Sequence, residues 1–434
     1  MLDVGSNHKP SNMKQLFLSF CLTVAFNSTL TYSQSTCFNF NNPNTRCGAF
    51  PNTSLDYQNC FFQWFCENKN WLNIPSDSVC NYYEANRGKQ SAFLTFEKTP
   101  WISNYFLFIH GGIATKWQSP SFNPKYYKYN PQTHTAIDKL VWSRIKSMTK
   151  DQINKLSPAE KLDIYLGYED FKITKWELEN RGPFKKDIAD WEGYCNGVRA
   201  AGIFLPEPTK SYTVKSKLDS TISLTFYPTD LKALAIASCF YVTGYADVGN
   251  PTSLTVLPNP TVFDVSLRFL IGNNIYPILF DRFSDLDRIQ QNTASNEIWN
   301  TTIIGYNRQV LSKQDYTSAE MPTAVKVWTI STTLNTIEDI DYVADFYKNS
   351  KQFIQQKDKK FIKSKIYKYK LYLDSESKIL GGEWLGNYPN HIWFAIGEGT
   401  QYEMNYTTNQ LELHGNENLD YKLVKELIEK ANQN

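Results

Sequence analysis

The sequence predicts an α+β fold, with helices first and an antiparallel sheet after them. Two observations predict it. Ser157-Pro158-Ala159-Glu160 is a helix start, with Ser at the cap, Pro at the first position and Glu at the third. Short alternating segments at 323–331, 366–374, 378–384 and 391–396 crowd the C-terminal third. Separation of the two kinds of element along the chain is the mark of an α+β core.

Each element follows from local pattern. Residues 34–95 are rich in Cys, Asn and aromatic side chains and poor in helix signals, as expected of a small stapled lobe. Residues 96–182 join an aromatic stretch (TPWISNYFLFIHGGIATKW) to a helical region. Within it Ile137, Leu140, Val141 and Ile145 recur at helix spacing. A core spans 183–415, in which 196–203 are helix-compatible and Pro206 and Pro208 end that run. Thr221–Tyr227 alternates as a strand, and Asp230–Tyr241 returns to helix. Val262–Ile271 and Ile275–Phe280 read as two strands around Gly272-Asn273-Asn274. A lysine-rich connector occupies 349–364, and the chain closes with a helix at 419–432 inside a C-terminal segment 416–434. There is no internal repeat.

Composition narrows the class of function. A chain of 434 residues suggests two or three domains, and 41% hydrophobic residues are ample for a core. With 45 basic and 43 acidic side chains there is no polybasic footprint, so nucleic acid is not an expected partner. Residues 1–33 are expected to contain an export signal, with Met13 as an alternative start. Lys14 supplies its basic end, Leu16–Phe26 an apolar run of about eleven residues, and Ser33 the small residue at the cleavage site. That run is too short to span a bilayer, and no later stretch is long and apolar enough. The expectation is a secreted, extracellular protein, or a periplasmic one if the source is bacterial.

The cysteines agree with export. Cys37, Cys47, Cys60, Cys66 and Cys80 crowd one lobe, a density suited to an oxidising compartment. Once Cys21 leaves with the signal, the number is odd. Setting Cys195 aside leaves enough for three bridges, with Cys239 as the partner from outside the lobe.

Cys195 carries the best candidate chemistry. It lies in Lys186-Asp-Ile-Ala-Asp-Trp-Glu-Gly-Tyr-Cys-Asn-Gly, just ahead of the helical run. A helix N-terminus favours thiolate through its dipole and N–H groups. Gly193 and Gly197 would let a substrate approach the backbone. The Cys195 N–H and the Trp191 indole N–H are candidate oxyanion donors. The competing reading is a structural or disulfide-bonded cysteine.

At these residues the sequence resembles the transglutaminase elicitor family, the secreted calcium-dependent transglutaminases of oomycetes and their Vibrio relatives. TPW at 99–101, GGIATKW at 111–117 and LSPAEKLDIYLGYEDFKITKWEL at 156–178 carry the resemblance. So do Asp190-Trp191-x-Gly193-x-Cys195-Asn196, FYPTDLKAL at 226–234, NPTVFDVSLRFLIG at 259–272 and GGEWLGNYPNHIWF at 381–394. Ile298-Trp299-Asn300 with Gly305-Tyr306 resembles the family's surface loop, the elicitor peptide, so Trp299 and Asn300 are expected there. The resemblance implies a papain-like cysteine-protease-type core with additional N-terminal lobes. It also implies transglutaminase chemistry: Cys195 attacks a protein glutamine and a lysine amine resolves the thioester.

The matched positions depart from the family pattern. The family's His after Phe is Asp264 here, its later Asp is Asn390, and His391 is new. A Cys–Asp–Asn set has no base near neutral pH. Three readings stay open. His391 serves as base with Asp264 orienting it, although neighbours on a strand face opposite ways; or the protein binds without catalysis; or His110, His134 or His414 serves instead. Asp281, Asp285 and Asp287 are the oxygen donors available to the calcium that the family uses, at a spacing that is no EF-hand. No organic cofactor is implied. Asn27, Asn52, Asn300 and Asn405 each begin a glycosylation sequon. The functions in contention are a protein-glutamine γ-glutamyltransferase, a catalytically degenerate effector that recognises a host surface, and a cysteine peptidase.

Overall fold

In the computed structural model, residues 89–118, 142–182, 191–249, 260–283, 298–337, 349–356, 361–386, 391–405 and 410–433 are described, with a few single positions between them. The expected export signal, the five clustered cysteines, His134, Asp285, Asp287 and Asn390 lie outside the described residues.

The chain enters along β1 (Ser91–Phe93) and then builds helices: α1 (Trp142–Ser147), α2 (Lys150–Asn154), α3 (Pro158–Leu166), α4 (Lys172–Asn180) and α5 (Cys195–Phe204). The predicted cap of α3 is present. Ser157 Oγ accepts from the Glu160 N–H at 3.2 Å, and Glu160 Oε2 accepts from the Ser157 N–H at 2.7 Å. Helix α4 is capped from outside itself. Its N-cap Phe171 has φ 53 and no capping side chain, and Asp163 on α3 instead accepts from the Ile173 and Thr174 N–H groups at 3.0 and 2.9 Å.

A hairpin of β2 (Tyr212–Lys215) and β3 (Ser223–Phe226) leads to α6 (Pro228–Ser238) and β4 (Tyr241–Gly249). Helix α7 (Pro260–Ser266) continues as one π turn, Leu267–Ile271. Then come β5 (Ile278–Phe283), β6 (Ile298–Asp315), β7 (Lys326–Ile337), α8 (Ser350–Gln355), β8 (Ile362–Leu373), β9 (Ile379–Trp384), β10 (His391–Thr400), β11 (Tyr402–Asn405), β12 (Gln410–Leu413) and α9 (Tyr421–Gln433). The predicted α+β segregation holds: one curled antiparallel sheet runs β4-β10-β5-β6-β7-β8-β9, and β1 pairs with β6.

Two hydrophobic cores share this sheet. Trp393, Ala395 and Leu279 pack into the helical core, whereas Ile392, Phe394, Ile278 and Phe280 pack into a second core around α7. The period-two alternation of a strand makes this division. Strands β5 and β10 are thus buried on both faces, the position from which a side chain can reach the helices. The helical core also takes Leu427 and Ile428 from α9, so it is assembled from both ends of the chain.

Several local expectations are corrected. Residues 262–271 are helical. The stretch is buried throughout, so its apolar residues show no face; the Asp264–Arg268 pair at helix spacing is what marks it. The connector 349–364 contains α8 and the start of β8. Cys239 is a buried thiol in the helical core and makes no bridge. The elicitor-like segment is no surface loop: Trp299 and Asn300 begin the 18-residue strand β6, and Asn300 is 5% exposed. A buried, doubly bonded Asn300 amide is also unsuited to glycosylation in the folded chain.

Candidate active site

Cys195 is a thiol and the first residue of α5. Local packing holds that start in place. The preceding Tyr194 donates its N–H to the Tyr105 carbonyl at 2.6 Å and its hydroxyl to Glu177 Oε2 at 2.5 Å. The glycines around the cysteine serve packing rather than substrate approach. A Cβ on Gly197 would lie 2.2 Å from the Ile236 carbonyl oxygen, and one on Gly193 would lie 2.8 Å from that of Tyr105. Gly197 lets α5 press against α6, and Gly193 lets the turn press against 105. At the other end of α5, the Trp101 indole donates to the Leu205 carbonyl at 2.8 Å.

The sheet meets the thiol through Asn300. Its Nδ2 donates to Cys195 Sγ at 3.2 Å, and its Oδ1 accepts from the Trp393 indole at 3.1 Å. The Asn300 carbonyl accepts from Arg199 Nε at 3.0 Å, and Arg199 also pairs with Asp339 at 2.7 Å. Cys195 Sγ itself lies 3.6 Å from Asn196 Oδ1. Beside this cluster the rings of Tyr105 and Trp299 meet edge to face, centroids 5.5 Å apart. Trp191 is half-buried on the turn before α5.

Strand register adds two positions. His391 on β10 pairs with Asp281 on β5, and Asp281 pairs with Asn300 on β6. Positions 391, 281 and 300 form one lateral row across three strands. Position 391 is also in phase with Trp393 and Ala395, the β10 residues that pack on the helical core.

Asp264 is elsewhere. It is buried on α7, where Arg308 Nε reaches Oδ1 at 2.6 Å, Arg268 reaches Oδ2 at 2.5 Å, and the Tyr369 hydroxyl donates to Oδ1 at 2.5 Å. Burial works to raise this carboxyl, but the two arginines together hold it below the usual carboxylate range. Arg308 lies eight residues beyond Asn300 on β6, about 26 Å of strand. The structure therefore gives Asp264 to a buried ion cluster and does not bring it to Cys195. Of the other histidines, His110 is buried in a single 3₁₀ turn, and His414 pairs with Glu412 at 3.4 Å. Among the described residues no three His, Cys, Asp or Glu side chains are grouped to hold a metal ion, and no helix is long and apolar enough to cross a membrane.

Two buried acids lie on α3 and α4. Burial pushes Glu177 up to about 7 against the pull of Tyr194 and Arg181, and it pushes Asp163 up to about 7 as well. A folded value above the unfolded one gives stability that is present below the unfolded value near 4.5 for Glu177 and is lost as pH rises to about 7. Glu177→Gln is expected to flatten that decline, leaving melting at pH 5 near the native value and raising it relative to native at pH 7.5. Thermal melts at the two pH values check this; an unchanged slope would show that Glu177 ionises freely in the fold.

Sequence reasoning placed Cys195 but missed Arg199, Asp339, Trp393 and the bonding role of Asn300. Trp393 stands in the block GGEWLGNYPNHIWF at 381–394, but nothing local says which group its indole meets.

Residues 258–433 match a family described as Transglutaminase elicitor. The crystal structure of the GP42 transglutaminase from Phytophthora sojae has a similar fold, with a TM-score of 0.53 at 18% identity, covering 82% of this chain and 98% of that one. No curated protein matches the sequence significantly. The matched segment holds α7 and every sheet strand from β5 to β10, including Asn300 and Trp393, which face the cysteine helix. Residues 258–433 of this chain are thus similar to the transglutaminase elicitor family.

Proposed function

We propose that the protein is a secreted transglutaminase acting by acyl transfer from protein glutamine to a primary amine. Cys195 thiolate attacks the glutamine γ-carboxamide, the tetrahedral intermediate expels ammonia, and a lysine amine displaces the thiol to leave an isopeptide bond. The observation that carries the reading is the placement of Cys195, a thiol opening a helix that is bonded to a sheet whose sequence carries the family pattern. The architecture, a cysteine helix against an antiparallel sheet, also fits a papain-like arrangement.

His391 is the base in this reading, since an acid–base group titrating near neutrality is required and position 391 lies in the lateral row 391–281–300, two strands from Asn300 and in phase with Trp393. It takes the thiol proton and returns it to the departing ammonia. Asp281 is the position paired with His391 in strand register. The Cys195 N–H and Trp191 indole receive the oxyanion. The acyl donors and acceptors are glutamine and lysine side chains of extracellular proteins, host-surface proteins among them.

The test is incorporation of a fluorescent primary amine into casein, with and without calcium, from pH 6 to 9. Incorporation is expected. A folded protein that incorporates no amine under any of these conditions overturns the proposal, and casein cleavage in its place would make the protein a peptidase. His391→Ala is expected to lower the rate about 10²- to 10⁴-fold and to remove the acidic limb of the pH profile. An unchanged profile would move the base to another residue.

A further inference from the structure

We infer that Asn300 is a positioning residue for the nucleophile: held by Trp393 and by the Arg199–Asp339 pair, it fixes Cys195 in its thiolate form. The inference rests on the reading of Cys195 as nucleophile.

The orientation of the Asn300 amide is set by chemistry. An indole N–H can only donate, so the group it meets at 3.1 Å must be Oδ1. The other end of the amide is then Nδ2, a donor, and it faces Cys195 Sγ at 3.2 Å. A thiol sulfur is a weak acceptor and a thiolate sulfur a strong one, so this contact favours the ionised form. With the amide reversed, two donors would face each other at Trp393 and an oxygen would face the sulfur.

The position of Asn300 is fixed as firmly as its orientation. Arg199 lies one turn along α5 from Cys195 and binds the Asn300 carbonyl through Nε, while its other arm pairs with Asp339. Asn300, Arg199 and Trp393 are all buried, so water competes little for these bonds. Helix α5 and strand β6 are joined at two adjacent points, Sγ to the Asn300 amide and Arg199 to the Asn300 backbone. The sulfur cannot drift from its donor unless both joints open. The helix N-terminus and the amide act on the same atom, and neither takes or gives a proton; the opposing contact, from the thiol to Asn196 Oδ1, is the longer one at 3.6 Å against 3.2 Å.

The experiment reads the thiol directly. The rate of iodoacetamide alkylation at Cys195, followed by peptide mass spectrometry, is measured against pH in the full chain and in Asn300→Ala, Asn300→Asp and Trp393→Phe. The alkylation midpoint is expected to move up by about one to two pH units in Asn300→Ala, the span of a hydrogen bond to a charged group. Asn300→Asp, which sets a carboxylate against the sulfur, should move it at least as far. Trp393→Phe, which frees the amide to turn, should move it less and in the same direction. In the amine-incorporation assay, Asn300→Ala should lower kcat with little change in KM. Midpoints unchanged in Asn300→Ala and Trp393→Phe, with native melting, would overturn the inference. Because alkylation needs no turnover, shifted midpoints without amine incorporation would uphold the role of Asn300 and sink the transglutaminase reading alone.

Discussion

Cys195→Ala is expected to abolish amine incorporation, by about 10⁴-fold or more, while leaving the fold intact. The reaction proposed runs through a thioester, and alanine has no atom that can form one; loss of a nucleophile from a cooperating set costs about as much as loss of the whole set. The structural cost is small by contrast. Cys195 is only partly buried, and its sulfur makes contacts to Asn300 and Asn196 rather than filling a core. Removing it leaves the Asn300 side chain held by Trp393 and its backbone carbonyl held by Arg199. Melting of the variant within about 1 kcal/mol of the native protein, together with loss of incorporation, would separate chemistry from folding. Incorporation that persists in the variant would eliminate Cys195 as nucleophile. Cys239 could not take its place, because burial pushes that thiol up to about 12.

Asp264→Ala is expected to have the opposite signature, a stability loss of about 3–5 kcal/mol, with inactivity only as its consequence. The carboxylate is buried between two guanidinium groups and a tyrosine hydroxyl that lie on the π turn after α7, on β6 and on β8. Without it Arg268 and Arg308 would be left as like charges in the sheet core. Domains are typically stable by about 5–15 kcal/mol, so the loss is large enough to unfold this half under mild denaturant. The pH dependence carries a sign. The folded carboxyl titrates below its unfolded value near 3.8, so its stabilisation is present above that value and is lost as pH falls through the depressed one. Acid unfolding below about pH 4 should therefore weaken in Asp264→Asn relative to its own neutral stability. This window is separate from that of Glu177, which runs from about 4.5 to about 7 and has the opposite slope. A melt of Asp264→Ala within about 1 kcal/mol of native, with activity lost, would return Asp264 to the chemistry.

The two variants define how the family pattern has been used in this chain. A position at which the resemblance implied a catalytic histidine holds a carboxylate committed to two arginines. The neighbour of Cys195 is instead an asparagine in the segment that resembles an exposed elicitor loop. Position 391 on β10 lies in one lateral row with 281 on β5 and 300 on β6, two strands from that asparagine.

What the sequence determined by itself was local chemistry. Ser157 and Glu160 cap a helix by their own spacing, Pro206 and Pro208 lie just beyond α5, and alternation marks β8, β9 and β10; none of these needs a distant partner. Cys195 at a helix start was legible for the same reason. Tertiary structure decided the rest. Residues 260–271 are apolar on every side because they are buried on every side, so they offer no periodicity, and β-branched residues suggested a strand. Trp299 and Asn300 are expected on a loop because their segment resembles the family's surface peptide. Asn300 is buried, and its amide and carbonyl are satisfied by Cys195 and Arg199, about a hundred residues earlier, and by Trp393, about as far beyond. A buried polar group is stable only with its partners, and partners brought from both directions along the chain exist only once helix and sheet have met.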